Sequence, residues 1–244
     1  MISDKSLSQI VIEQPAAAAV FDMFNLDYCG DGIQTIAEAC KGDLAQAGLI
    51  AARVDEAVMN GAFLNMNFKV KDLSLSALCS YFVEKHHGTI RSVLPSLLVQ
   101  AMKVTEKHKI RHPELMEIRD LLVNLKVELD HHMMKEEEMV YPRIKVLEEI
   151  VYDEQDGGDF NYRMLKDPIK VLLREHENSV ETFRKIKVLS NNFKVPDDAC
   201  DLYNLFYQNL LAFRTDLRLH VHLENKLLFP KVNALLRVFS DEVI

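Results

Sequence analysis

Imidazole and carboxylate groups recur along this chain at a fixed spacing. His132, Glu136 and Pro142 are repeated 88 residues later as His220, Glu224 and Pro230. A further histidine precedes each copy, His87 lying 45 residues before His132 and His176 lying 44 before His220. The chain therefore carries two equal sets of two imidazoles and one carboxylate, the donor supply of a two-metal site. With nine histidines, about one His-x-x-x-Glu match is expected by chance, and a single copy would be an ordinary surface pair. Coincidence explains the repeat poorly. It also has an equally placed proline, matching apolar-aromatic flanks (Met139-Val140-Tyr141 and Leu227-Leu228-Phe229) and an equally spaced upstream histidine.

The donor types narrow the metal. Imidazole with carboxylate and no thiolate suits iron or manganese, and six ligands on two ions leave positions for a bridging oxide or hydroxide and a small exogenous molecule. A glutamate from each half can bridge the pair. Zinc would be satisfied by four ligands. Glu84-x-x-His87 and Glu128-x-x-His131 match the Glu-x-x-His motif of ferritin-like di-iron bundles. That motif belongs on the second and fourth helices of such bundles, whereas these two matches fall on the first and second helical patterns here.

Four long helical patterns must position these groups: 73–107, 113–151, 162–191 and 196–239. Strand signals are absent. The connections at 108–112, at 153–159 with Gly157 and Gly158, and at 191–195 before Pro196 are short, which predicts an all-α, antiparallel four-helix bundle. Residues four apart share a helix face, so His132 with Glu136 and His220 with Glu224 each present a chelating pair from the second and fourth helices. His87 and His176 add one imidazole each from the first and third. Ahead of the bundle, patterns at 15–25, 34–39 and 44–59 surround a Gly30-Asp31-Gly32 turn, and Asn60, Gly61, Asn65 and Asn67 read as a linker. The expected organisation is a small helical domain at 1–65 and the bundle at 70–244.

The remaining groups have plainer readings. His86, His131 and His222 sit one or two positions from the candidate ligands and point to other faces, where solvation is expected. His108 and His112 fall at a helix connection, and the block 135–138 is a wet face apart from Glu136. Glu128, a turn before His132, and Glu175, beside His176, are candidates to accept an imidazole N–H or to carry protons. The net charge of −8, with no dominant cluster among 29 Lys and Arg, argues against nucleic-acid or anionic-membrane partners. The first residues lack a signal-peptide pattern and no apolar run of about 18 residues occurs, so a cytoplasmic location is expected. Four widely spaced cysteines form no C-x-x-C pair, and reduced thiols are expected.

At these residues the chain resembles the di-iron Repair of Iron Centres proteins. The stretches that carry the likeness are His132-Met-Met-Lys-Glu136-Glu137, His220-Val-His-Leu-Glu224-Asn-Lys-Leu-Leu-Phe-Pro230, His87 eight residues before Pro95, and Arg174-Glu175-His176-Glu177. The resemblance implies a hemerythrin-like four-helix bundle behind a small N-terminal domain. It implies two iron ions, oxo- or hydroxo-bridged and carboxylate-bridged, held by His87, His132, Glu136, His176, His220 and Glu224. It further implies repair of iron–sulfur clusters damaged by nitric oxide or oxidative stress, by iron delivery or by nitric oxide reduction at the irons. The partners implied are nitric oxide or dioxygen and damaged iron–sulfur proteins; the oligomeric state stays open, a homodimer included. Two other readings stand beside it: a carrier or sensor that binds dioxygen or nitric oxide reversibly, and a structural bundle that binds nothing. One departure matters, because the family's Asp-Tyr-Cys-Cys-Gly-Gly turn is Asp27-Tyr28-Cys29-Gly30-Asp31-Gly32 here. Cys29 alone is then either an exposed thiol beside a turn or a small apolar residue.

Overall fold

Apolar residues at alternating steps of three and four dictate this architecture. A computed structural model describes residues 4–30, 33–64, 69–152, 161 and 163–241. Among them the only β pairing is an isolated bridge between Ser6 and Thr35, and the fold is all-α as expected. The linker residues Asn65 and Asn67, Asp31 and Gly32 of the predicted turn, and the connection at 153–159 lie outside the described residues.

The chain divides into two compact units. The first comprises Met1–Leu78 and Arg218–Lys231. Its helices are α1 (Leu7–Glu13), α2 (Ala17–Met23), α3 (Ile36–Ala39) and α4 (Leu44–Leu64). Helix α4 runs past Asn60 and Gly61, where the sequence suggests a linker. Helix α2 answers the pattern that opens at Pro15, whereas α1 precedes any predicted helix and its signal is local. Ser6 accepts from the Gln9 backbone N–H while the Gln9 side chain accepts from the Ser6 N–H, a reciprocal cap that Thr35 and Glu38 repeat at α3. Leu7, Ile10, Val11, Phe21, Tyr28, Ile50 and Val54 form this unit's core.

The second unit, Cys79–Leu217 with Val232–Ile244, contains a bundle of long helices. Its elements are the end of α5 (Leu75–Tyr81), α6 (Gly88–His108), α7 (Glu114–Lys135), α8 (Tyr141–Tyr152), α9 (Arg163–Leu189) and most of α10 (Asp201–Leu223), with α11 (Phe229–Asp241) at the end of the chain. On α7, Leu115, Ile118, Leu122, Leu125, Leu129 and His132 are buried at steps of three, four, three, four, three, with Met133 buried beside the last. Those of α9 are Leu165, Ile169, Leu172, His176, Ser179, Phe183 and Ile186. On α10, Tyr203, Phe206, Leu210, Phe213 and Leu217 follow the same rule and the next two steps reach His220 and Glu224. The candidate ligands thus continue each helix's apolar seam, which is the face that must be buried. Helix α9 stops at a left-handed run, Asn191, Asn192 and Phe193, in which the Asn192 N–H bonds the Lys187 carbonyl at 2.8 Å. No helix of the described residues is long and apolar enough to cross a membrane.

Candidate metal centre

Among the described residues, three helical runs contain one widened turn each, and each such turn carries a candidate ligand. The π-helical segments are Phe82–His87, Glu136–Val140 and Glu224–Leu228. Within them the Tyr141 N–H bonds back to the Glu136 carbonyl and the Phe229 N–H to the Glu224 carbonyl, five residues away in both copies. Pro142 and Pro230 follow directly. A proline has no N–H for the carbonyl four residues back and its ring crowds that carbonyl, so a wider turn ahead of it relieves the ladder. The conspicuous proline of the repeat is therefore part of the local geometry. The seam shows the same extra residue, since His132, Glu136, Val140 and Ile144 are all buried at steps of four.

In the second unit Glu136 is the hub. Its side chain is fully buried, with one carboxylate oxygen 3.2 Å from His87 Nε2 and the other 3.1 Å from His132 Nε2. His176 Nε2 lies 3.9 Å from that second oxygen and 3.0 Å from His132 Nε2. The ligand atoms of His132, Glu136 and His176 lie within 4.8 Å of one another, and Glu136 groups with His87 within the same limit. Two imidazole nitrogens 3.0 Å apart cannot both carry protons, so at least one lone pair is directed inward. In the first unit, His220 Nε2 stands 3.2 Å from Glu224 Oε2 with both side chains fully buried, the same pairing as His132 with Glu136. These donors are buried, close and free of thiolate, and the chemistry of the set fits a hard or borderline cation such as iron.

The outward nitrogens are held as well. His132 Nδ1 donates to Glu175 Oε2 at 3.0 Å, and Lys135 pairs with the other oxygen of Glu175. The bond from His132 and the Lys135 ammonium outweigh partial burial and hold the Glu175 carboxyl down at about 2. His87 Nδ1 donates to Glu137 Oε1 at 2.6 Å, and Arg91 Nη2 reaches that same oxygen at 2.8 Å. Burial pushes the Glu137 carboxyl up, and the bonds from Arg91 and His87 more than offset it, leaving it below the ordinary range. A carboxylate on Nδ1 fixes the Nδ1–H tautomer and turns the Nε2 lone pair inward, the arrangement a metal-binding histidine needs. Glu175 thus stands where an N–H acceptor is expected. Glu128 is exposed on α7. Glu137, in a charged block where a wet face is expected, is the second such acceptor; its signal in the sequence is its place next to Glu136.

Two histidines expected in solvent are buried. His86 is 0% exposed, with Nδ1 3.2 Å from Asp216 Oδ1 and its ring against Tyr81 and Phe82. His222 is 1% exposed, its Nε2 donating to the Ser8 carbonyl at 3.2 Å and its ring edge-on to Tyr28. Burial holds the His222 imidazole down at about 4, so it stays neutral. A face off the ligand stripe is wet only where nothing packs on it, and α1 and Asp216 cover these two from far along the chain. His131 is exposed, as expected.

Cys29 lies in a turn of the first unit in which Asp27 Oδ1 accepts the backbone N–H of Cys29 at 3.1 Å and of Gly30 at 3.3 Å. Arg218 ties the turn down, pairing with Asp22 and Asp27 and lying over the Tyr28 ring. The Cys29 thiol donates to the Arg218 carbonyl, and burial pushes it up to about 11, so it is protonated at neutral pH. A Cβ at Gly30 would sit 2.9 Å from Asp27 Oδ2, so a second cysteine there would need that carboxylate oxygen to shift.

Two family models match the chain. Residues 80–232 match the family model of the hemerythrin HHE cation binding domain, and residues 3–57 match a domain of unknown function, DUF542. The chain is 32% identical to the iron-sulfur cluster repair protein YtfE of Musicola paradisiaca, covering 93% of this chain and 96% of that protein. It is 29% identical to the YtfE protein of Shigella boydii, over 95% and 97% of the two chains. A probable iron-sulfur cluster repair protein of Haemophilus influenzae is also 29% identical, over 94% and 97%.

Proposed function

Because the chain belongs to the hemerythrin HHE cation-binding family, we propose that its buried histidines and glutamates form a metal centre with which it repairs iron–sulfur clusters. The relatives that match nearly end to end are named for cluster repair, which favours this reading over a reversible carrier or sensor. The centre holds two irons, bound by His87, His132, Glu136, His176, His220 and Glu224. One observation carries the count. The two oxygens of Glu136 face different imidazoles, His87 on one side and His132 with His176 on the other, as a carboxylate shared between two cations must. His220 and Glu224 repeat the His132 and Glu136 pair and supply the second half.

Bound iron would supply open positions for nitric oxide and electrons for its reduction, or would itself be delivered to a cluster that has lost iron. The protein's own groups set the conditions. Glu137 and Glu175 keep the imidazole lone pairs inward, and full burial of Glu136 excludes water from the carboxylate that joins the two sides. The lack of thiolate donors leaves a set that can give up one ion. The clients are iron–sulfur proteins damaged by nitric oxide or oxidation, and the cytoplasm is where the protein meets them.

The test incubates the reduced, iron-loaded protein anaerobically with a nitric-oxide-damaged [4Fe–4S] hydratase, following the hydratase activity and nitrous oxide. Recovery of activity by the wild type, and none by a Glu136→Ala variant, is expected. Absence of recovery and of nitrous oxide, with reversible binding of dioxygen or nitric oxide, would replace repair with carriage.

A further inference from the structure

His87 and His132 are both backed by a carboxylate and a cation, yet the two relays are wired differently. At His132 the imidazole takes Glu175 Oε2 while Lys135 takes Oε1. At His87 the imidazole and the Arg91 guanidinium share a single oxygen, Glu137 Oε1, at 2.6 and 2.8 Å. A cation on the oxygen that accepts the imidazole N–H withdraws charge from that hydrogen bond directly, whereas one on the far oxygen does so only through the carboxylate. The spacing makes the triad local. Arg91 is one turn beyond His87 on the same helix, and Glu137 follows Glu136. Exposure is graded outward: His87 is fully buried, the Glu137 side chain is 25% exposed and Arg91 49% exposed.

We propose that Glu137 and Arg91 are a positioning pair which sets the donor strength of His87, with Arg91 as the solvent-side control on how firmly iron is held there. The inference rests on His87 being a ligand, as the proposed function assigns it. Glu137 holds the Nδ1 proton and makes the Nε2 lone pair more basic; Arg91 moderates that effect. Loss of the two partners should therefore act in opposite directions, which damage to the fold would not do.

The experiment compares wild type, Glu137→Gln, Arg91→Met and Lys135→Met as iron-loaded full-length proteins. It measures the rate of iron extraction by a ferrous chelator and the midpoint potential of the bound iron. Glu137→Gln keeps the side-chain volume but removes the charge, and it should speed extraction by about 10–100-fold and raise the potential. Arg91→Met should slow extraction and lower the potential, by more than Lys135→Met does. Should Glu137→Gln hold too little iron to titrate, the Arg91→Met potential decides alone. Unchanged values for Arg91→Met, shifts of one sign in both variants, or a larger effect of Lys135→Met would overturn the inference while leaving the metal centre intact. A wild type that binds no iron would overturn both.

Discussion

A buried carboxylate that touches imidazoles on both of its oxygens is costly to a fold unless a cation or a shared proton compensates it. Glu136 is in that position, with His87 on Oε2 and His132 on Oε1. Glu136→Gln preserves the volume and removes the charge. Its expected result is roughly half the iron of wild type or less, since a neutral amide is a poor bridging ligand; metal analysis of protein purified without oxygen measures it. At this scale the grouping of candidate donors is legible in the sequence, because His-x-x-x-Glu places two donors on one face wherever the chain is helical. Glu137 was not. It sits in a run of three glutamates, and only the neighbouring helix, bringing His87 and Arg91 to it, separates it from the exposed Glu138. His86 and His222 were misplaced for a related reason, since their covering partners, Asp216 and Ser8, lie 130 and 214 residues away.

Helices assemble this site through seams and turns. Steps of three and four from Leu115 to His132 and from Leu165 to Ile186 predict the helices and their inward faces. Two of the widened turns are also written in the sequence, as consecutive steps of four with a proline between the last two. They read as ordinary helix until the i→i−5 bonds of Tyr141 and Phe229 are seen. Away from the ligands, the α6–α7 connection is clipped to the residues preceding α10. His112 Nε2 donates to Asp198 Oδ1 at 2.9 Å, His112 Nδ1 donates to Glu114 Oε1 at 3.1 Å, and Arg111 also reaches Asp198. The bond from Asp198 raises the His112 imidazole above its ordinary value, partial burial opposing. A histidine raised on folding contributes stability in full below its unfolded value, near 6.5, and loses it as pH rises through the folded value. Asp198→Asn should therefore lower Tm by about 2 °C at acidic pH, with a smaller loss in alkaline buffer. Thermal melts of both proteins across that range check it, and an equal loss at every pH would contradict the assignment.

For the whole molecule, the all-α class and the order of helices were readable from periodicity, whereas the grouping of Arg218–Lys231 with the N-terminal helices was not. That grouping rests on contacts far apart in the chain, among them Arg218 with Asp22 and Asp27, His222 with Ser8 and Lys231 with the Lys71 and Leu73 carbonyls, which no local pattern announces. It changes what truncation should do. On sequence alone, a fragment beginning at Lys69 keeps every candidate ligand and would keep its iron. Loss of Asp22, Asp27 and Ser8 leaves Arg218 and His222 without the partners that fix the stretch bearing His220 and Glu224. The fragment should remain helical by circular dichroism yet retain less iron than the full chain, and full retention would show that the stretch is held by other means.

A two-iron centre built from six side chains is tested most directly by the iron content and Mössbauer spectrum of the anaerobically purified, full-length protein. The expected result is about two irons per chain, coupled so that the oxidised form has a diamagnetic ground state. One iron per chain, or two that behave as isolated paramagnetic ions, would contradict it.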